Sequence, residues 1–207
     1  MKVQRITQRT GYWHDTRKAE QPDSVSSGFD DLDTLLPDGG WPRGALTEIH
    51  LAQQSMDALH LLLPALSKLS HDENRWICLV APPILPCMSD LLESGVNLSR
   101  VLLVHPGAQQ DGLWAVEESL RSGTCSAVLA WPTTDDSAAL RCLQLAAEAG
   151  NTSGFLFRPQ HLANRPSPAT LRLQLHEQQD YYPAVSVIQR RSGRNSAQMH
   201  RFSDRVA

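Results

Sequence analysis

Four short apolar runs recur along the chain, each separated from the next by a segment with helical spacing. They are Trp76-Ile77-Cys78-Leu79-Val80, Val101-Leu102-Leu103-Val104, Ala127-Val128-Leu129-Ala130-Trp131 and Gly154-Phe155-Leu156-Phe157. Strands this uniformly apolar are buried on both faces, the condition of a parallel sheet covered by helices on each side. Residues 86–94, 112–122 and 136–149 supply helical segments between them, the last ending at Gly150-Asn151, a pair suited to a left-handed C-cap. Upstream, Ala45–Leu51 alternates like a strand, and Met56, Leu59, Leu63, Leu66 and Leu69 mark one face of a helix that Pro64 is placed to bend. The alternation predicts an α/β fold with a mainly parallel sheet flanked by helices.

The end of the chain follows another period. Leu171-Arg172-Leu173-Gln174-Leu175 and Ala184-Val185-Ser186-Val187-Ile188 alternate apolar and polar residues across a short polar turn. This predicts a C-terminal antiparallel hairpin at a sheet edge. Pro22, Asp23 and the stretch Ser24–Ser27 punctuate the start of the organised region. The expected division is a polar N-terminal arm over 1–27, a single domain over 28–191 and a basic tail over 192–207.

The overall charge of -3 hides an asymmetry that narrows the function classes. Residues 1–27 carry five Lys/Arg against three Asp/Glu, and residues 190–207 carry five Arg against one Asp. An acidic body with basic ends argues against a broad nucleic-acid surface and predicts weak or no direct DNA binding. No run of about 18 apolar residues is present, and the first residues lack an apolar signal core, so a cytoplasmic location is the expectation. The four cysteines (Cys78, Cys87, Cys125, Cys142) show no metal-ligand spacing and are expected to be reduced thiols, mostly in the core.

Gly28-Phe29-Asp30-Asp31-Leu32-Asp33, followed by Pro37-Asp38-Gly39-Gly40-Trp41-Pro42-Arg43-Gly44 and Ala45–His50, resembles the lead-in to the Walker A strand of RecA-type ATPases. In that family a glycine-rich loop ending in Gly-Lys-Thr/Ser cradles phosphates, and its lysine neutralises them. Here the lysine position holds Asp57 and the magnesium-ligand position holds Ala58. Exchanging lysine for aspartate about 4 Å from a phosphate disfavours nucleotide by about 8 kcal/mol at an effective dielectric near 20. Asp57 is then simply an acid in the first turn of a helix, where it is favourable. The segment after the second strand reads Val80-Ala81-Pro82-Pro83, without a catalytic glutamate, and the Walker B strand ends in Trp131 instead of aspartate. The resemblance therefore implies a RecA-like core that lacks nucleotide chemistry, with no cofactor and no catalytic residue. His176-Glu177-Gln178-Gln179-Asp180 is a near miss to a metal motif, with no third ligand in view.

Two families resemble this scaffold. Trp114–Gly123, Ala127–Pro132, Leu143–Gly150, Gly154–Pro159, Ser167–Leu173 and Gln189–Arg194 together resemble the ImuA family over roughly residues 26–194. That resemblance implies a non-catalytic accessory of SOS-induced translesion synthesis and mutagenesis. Its implied partners are ImuB (a Y-family polymerase relative), an error-prone C-family polymerase and RecA. Arg75-Trp76, Leu120–Gly123, Trp131 and Gly154–Pro159 also resemble the SulA family of SOS cell-division inhibitors, which implies FtsZ as partner. The full lead-in over 28–50 and the Arg-rich end weigh toward ImuA. Candidate partner-binding residues are Trp41 and Trp131, expected near the carboxyl edge of the sheet, and Arg190, Arg191 and Arg194. Core packing is the alternative for the tryptophans, and a solvated tail for the arginines.

Overall fold

A computed structural model describes residues 23–52, 57–107, 109–176, 184–190 and 199–200. Its centre is an eight-stranded sheet in the order β10-β9-β8-β3-β7-β6-β4-β5. The strands are β3 (Ala45–Leu51), β4 (Trp76–Val80), β5 (Val101–Val104), β6 (Cys125–Ala130), β7 (Ser153–Pro159), β8 (Leu171–His176), β9 (Ala184–Arg190) and β10 (Met199–His200). The six from β8 to β5 run parallel, while β9 is antiparallel to β8 and β10 to β9. A mixed α/β fold with a mainly parallel sheet is thus what the apolar runs produce. The hairpin forms with Leu173 opposite Val187, but β10 lies outside β9, so the hairpin does not end the sheet.

Each face of the sheet carries its own helices. Helix α1 (Asp30–Asp33), the 3-10 turn Asp57–Leu61, α2 (Leu63–Asp72) and α3 (Met88–Glu93) cover one face, burying Leu32, Leu62, Leu66, Leu69 and Leu91 against Ile49, Ile77, Leu129, Phe155 and Phe157. Helices α4 (Gln109–Arg121) and α5 (Ser137–Gly150) cover the other, packing Val116, Leu120, Leu140 and Leu143 on Leu46, Val80, Val128 and Leu156. Pro64 does not bend one helix. It sits in the first turn of α2, where a missing amide costs nothing, and the preceding residues form the separate 3-10 turn. The start of α5 is capped by Asp136, whose carboxylate accepts from the Ala138 amide at 2.8 Å; its end is closed by Asn151 at φ 47°.

The lead-in is structural. Strand β1 (Ser24–Val25) pairs with β2 (Trp41–Pro42), and the Asp33 carboxylate accepts from the Ser27 amide and the Ser26 hydroxyl. Gly40 is required at this crossing because a Cβ there would lie 2.4 Å from the Val25 carbonyl oxygen. At the amino end of the sheet, the Arg75 guanidinium donates to the carbonyls of Gly123, Gly150 and Asn151 and to the Thr152 hydroxyl. It satisfies carbonyls that the end of α5 leaves without helical partners.

Candidate functional site

The carboxyl edge of a parallel sheet is where this class of fold binds ligands, in the crevice where chain connections diverge to opposite faces. Here the chain leaves β4 toward α3 on one face and leaves β6 toward α5 on the other, so the divergence falls between β4 and β6. A cavity of about 550 Å³ opens there, lined by Ala81, Pro106, Leu113, Trp131, Thr133 and Thr134 among others. None of its lining residues carries a charge. A phosphate placed there would find no cation to offset its desolvation. Ala81 itself holds a left-handed φ of 49° where the strand turns out of the sheet toward Pro82 and Pro83.

Next to this crevice lies a buried charge network that the strand alternation conceals. Glu48 and His50 project from β3, Arg158 from β7 and Arg172 from β8, all buried. One Glu48 carboxylate oxygen accepts from Arg158 at 2.8 Å and from the Ser167 hydroxyl at 2.6 Å. The other accepts from Arg172 Nε at 2.9 Å and contacts His50 Nε2 at 3.1 Å. Arg172 also donates to the Leu162 and Ala163 carbonyls, and Arg158 to the Thr134 carbonyl. With four partners in place, the carboxylate has no free site for a substrate proton. The network fastens three strands to the loops above them; it is not a catalytic base.

Burial pushes the Glu48 carboxyl up, but the His50 hydrogen bond, the Arg158 charge, the Ser167 hydroxyl and Arg172 outweigh it and hold it at about 2, against an ordinary 4.5. A carboxyl depressed on folding stabilises the protein above its unfolded value and loses that contribution as pH falls through its folded value. The fold is therefore expected to lose about 3 kcal/mol from this group between pH 4.5 and pH 2. Chemical denaturation at stepped pH measures it, and Glu48→Gln should flatten the slope. An unchanged slope in that variant would assign the acid sensitivity elsewhere.

The residues singled out from the sequence fall in different places. Asp57 opens the 3-10 turn after β3, and the Ala58 methyl is buried in the core. Trp131 follows β6 at the carboxyl edge and stacks on Phe157 at 4.9 Å between ring centroids. Trp41 is not at that edge. It enters ahead of the amino end of β3, is 0% exposed, and meets Phe155 edge-on at 5.6 Å. Arg190 ends β9 opposite Leu171, while Arg191 and Arg194 lie outside the described residues. His176 contacts the Ser186 hydroxyl at 2.9 Å, and Glu177 and Asp180 lie outside the described residues. Cys78 and Cys125 are buried, but Cys87 and Cys142 are exposed.

What the sequence reading missed is an apolar surface. Ile84, Leu85, Met88 and Leu92, between β4 and β5, are exposed, as is Leu102 on β5. The exposed positions 84–92 surround α3 on one face of the sheet, whereas Leu102, of the same parity as Val104, points to the face that carries α4. The family model described as "Cell division inhibitor SulA" matches residues 44–154, which include these positions and every strand from β3 to the start of β7. The chain belongs to the SulA family. The SulA of Photorhabdus laumondii is 35% identical over 116 residues, covering 56% of this chain and 64% of that protein. The SulA of Yersinia pestis (strain Pestoides F) is 31% identical over 136 residues, covering 64% of this chain and 79% of that protein. The crystal structure of SulA from Pseudomonas aeruginosa aligns at 30% identity over 55% of this chain and 97% of that one, with a TM-score of 0.47.

Membership of the SulA family overturns the ImuA resemblance, and with it the roles in translesion synthesis and mutagenesis and the partners ImuB, RecA and the C-family polymerase. Both resemblances rested in part on the same segments of this chain, Leu120–Gly123, Trp131 and Gly154–Pro159. The lead-in that weighed toward ImuA is accounted for by packing, since Trp41, Val25 and Leu32 are buried in the core. Among the described residues no helix is long and apolar enough to cross a membrane.

Proposed function

We propose that this chain is a non-catalytic inhibitor of cell division that acts by binding FtsZ. The observation that carries the reading is the SulA family match across residues 44–154, which span the exposed aliphatic positions from Ile84 to Leu92. FtsZ is the partner implied by that family, and the exposed Ile84, Leu85, Met88 and Leu92 supply what a protein partner needs: apolar surface whose burial is worth about 25 cal/mol per Å². The scaffold is read as a RecA-type core emptied of nucleotide chemistry. Ala58 at the magnesium-ligand position, Trp131 at the end of β6 and the uncharged crevice support that reading.

The test is biochemical. Purified chain added at equimolar ratio should suppress FtsZ GTPase activity and polymerisation, and its expression should make cells filament. Leu92→Asp, a change on an exposed position, should weaken that inhibition by tenfold or more, roughly the effect of losing one anchoring side chain. Calorimetry with ATP should show no binding heat. Undiminished FtsZ turnover at excess inhibitor would overturn the partner, and micromolar ATP binding would overturn the emptied site.

A further inference from the structure

Ten glycines lie among the described residues, and eight of them have a structural reason to be glycine. Gly28, Gly39, Gly44, Gly95 and Gly123 hold left-handed φ angles, and a Cβ at Gly40, Gly150 or Gly154 would run into a neighbouring atom. Gly107 and Gly112 have neither reason: a Cβ at either would meet nothing within 4 Å. Both line the same place, the uncharged cavity between β4 and β6.

Gly112 is the more telling of the two, because it sits inside α4. Glycine is a poor helix residue, since its backbone gives up the most freedom on folding. Val116, one turn later on the same side of α4, is buried in the cluster between this helix and the sheet. A side chain at position 112 would therefore project toward the sheet beside Val116, into the cavity. The helix gives up stability at this point, and the space is left open.

The rest of the cavity is built to keep that space. Its floor includes Val80, Val116 and Ala130, each at most 3% exposed, so it reaches to the depth of the core. Pro106 and Pro132 form part of its wall, each two residues past the end of its strand. Proline fixes φ and carries no amide, so the wall is shaped before anything binds and offers few donors. Thr133 and Thr134 bring hydroxyls to the lining, and Thr133 is exposed to solvent.

We propose that this cavity binds an uncharged small molecule, with an apolar body seated over Val80, Val116 and Ala130 and a hydroxyl or carbonyl turned to Thr133 and Thr134. Its volume of about 550 Å³ falls in the range of small-molecule sites, roughly 300–1,000 Å³. A charged ligand would lose its hydration and find no opposite charge in the lining. A folded protein could send no more than a side chain to a floor at core depth, whereas a small molecule enters whole. This inference does not rest on the FtsZ reading.

Nile red, an uncharged dye with an apolar body and one carbonyl, is the probe. Its emission should rise, shift to the blue and saturate at one dye per chain. Leucine at position 112 occupies the space the dye needs, so Gly112→Leu should lower the affinity roughly tenfold or more. Gly112→Ala should lower it less. Each variant places a better helix former in open space, so both should melt at or above the parental temperature. Leu92→Asp, on the exposed aliphatic positions, should leave dye binding unchanged. Emission that does not saturate, an affinity indifferent to Gly112→Leu, or one lost in Leu92→Asp would each overturn the proposal. Release of the dye by an equivalent of FtsZ would give the cavity to a protein side chain and overturn it equally.

Discussion

Glu48→Ala is expected to lower stability by about 3–5 kcal/mol, the cost of leaving buried charges without their partner. In a chain of this size each kcal/mol lowers the melting temperature by about 2–4 °C, so the expected fall is roughly 10 °C or more. The cause is specific: the substitution leaves the Arg158 and Arg172 guanidiniums, both at least 95% buried, with no carboxylate between them. The same argument predicts an asymmetry. Replacing Glu48, Arg158 and Arg172 together with apolar residues of similar volume should recover much of the loss, because the desolvation of three charges disappears along with their attraction. Thermal denaturation of the single and triple variants separates the two contributions. A single variant melting within about 2 °C of the parent would show that the network contributes little to stability.

Trp41→Ala should cost a similar amount, about 3–5 kcal/mol, by emptying a core site. The ring is fully buried, edge-on to Phe155, and belongs to the cluster that joins the lead-in to α2 and the sheet. Its indole Nε1 is buried with no hydrogen-bond partner among the described residues. Trp41→Phe therefore gives up volume but also removes an unsatisfied donor, and it should cost well under half of the alanine change. Urea denaturation of the two variants gives both numbers. A folded Trp41→Ala protein of parental stability that fails only to inhibit FtsZ would return this residue to the partner surface.

These two residues show how the chain discloses itself. The apolar runs from Trp76 to Phe157 demanded burial on both faces, and helices of alternating placement supply it. The period-2 segments 171–175 and 184–188 pair antiparallel with each other, while the first also pairs parallel with β3 on its other side. Trp41 was harder to place. The sequence suggested a place near the carboxyl edge of the sheet, as a partner anchor or packed in the core; β2 instead turns it inward ahead of the amino end of β3, beside the Gly40 crossing that only three-dimensional contacts reveal. The charge network was less legible still. Glu48, His50, Arg158 and Arg172 look like solvent-facing positions of alternating strands until the sheet order brings β3, β7 and β8 side by side.

The layered α/β fold with a mainly parallel sheet was set by the sequence alone. Apolar periodicity is a local property that any strand or helix must obey. Strand order and the burial of four charged or polar side chains in one network were decided by tertiary structure. Those depend on which elements become neighbours, and residues 110 or more apart in the chain, such as Glu48 and Arg158, carry no local sign that they will meet. The exposed aliphatic residues Ile84, Leu85, Met88 and Leu92 belong to both: they are plain in the sequence, but only the absence, among the described residues, of anything packed over them makes them a surface.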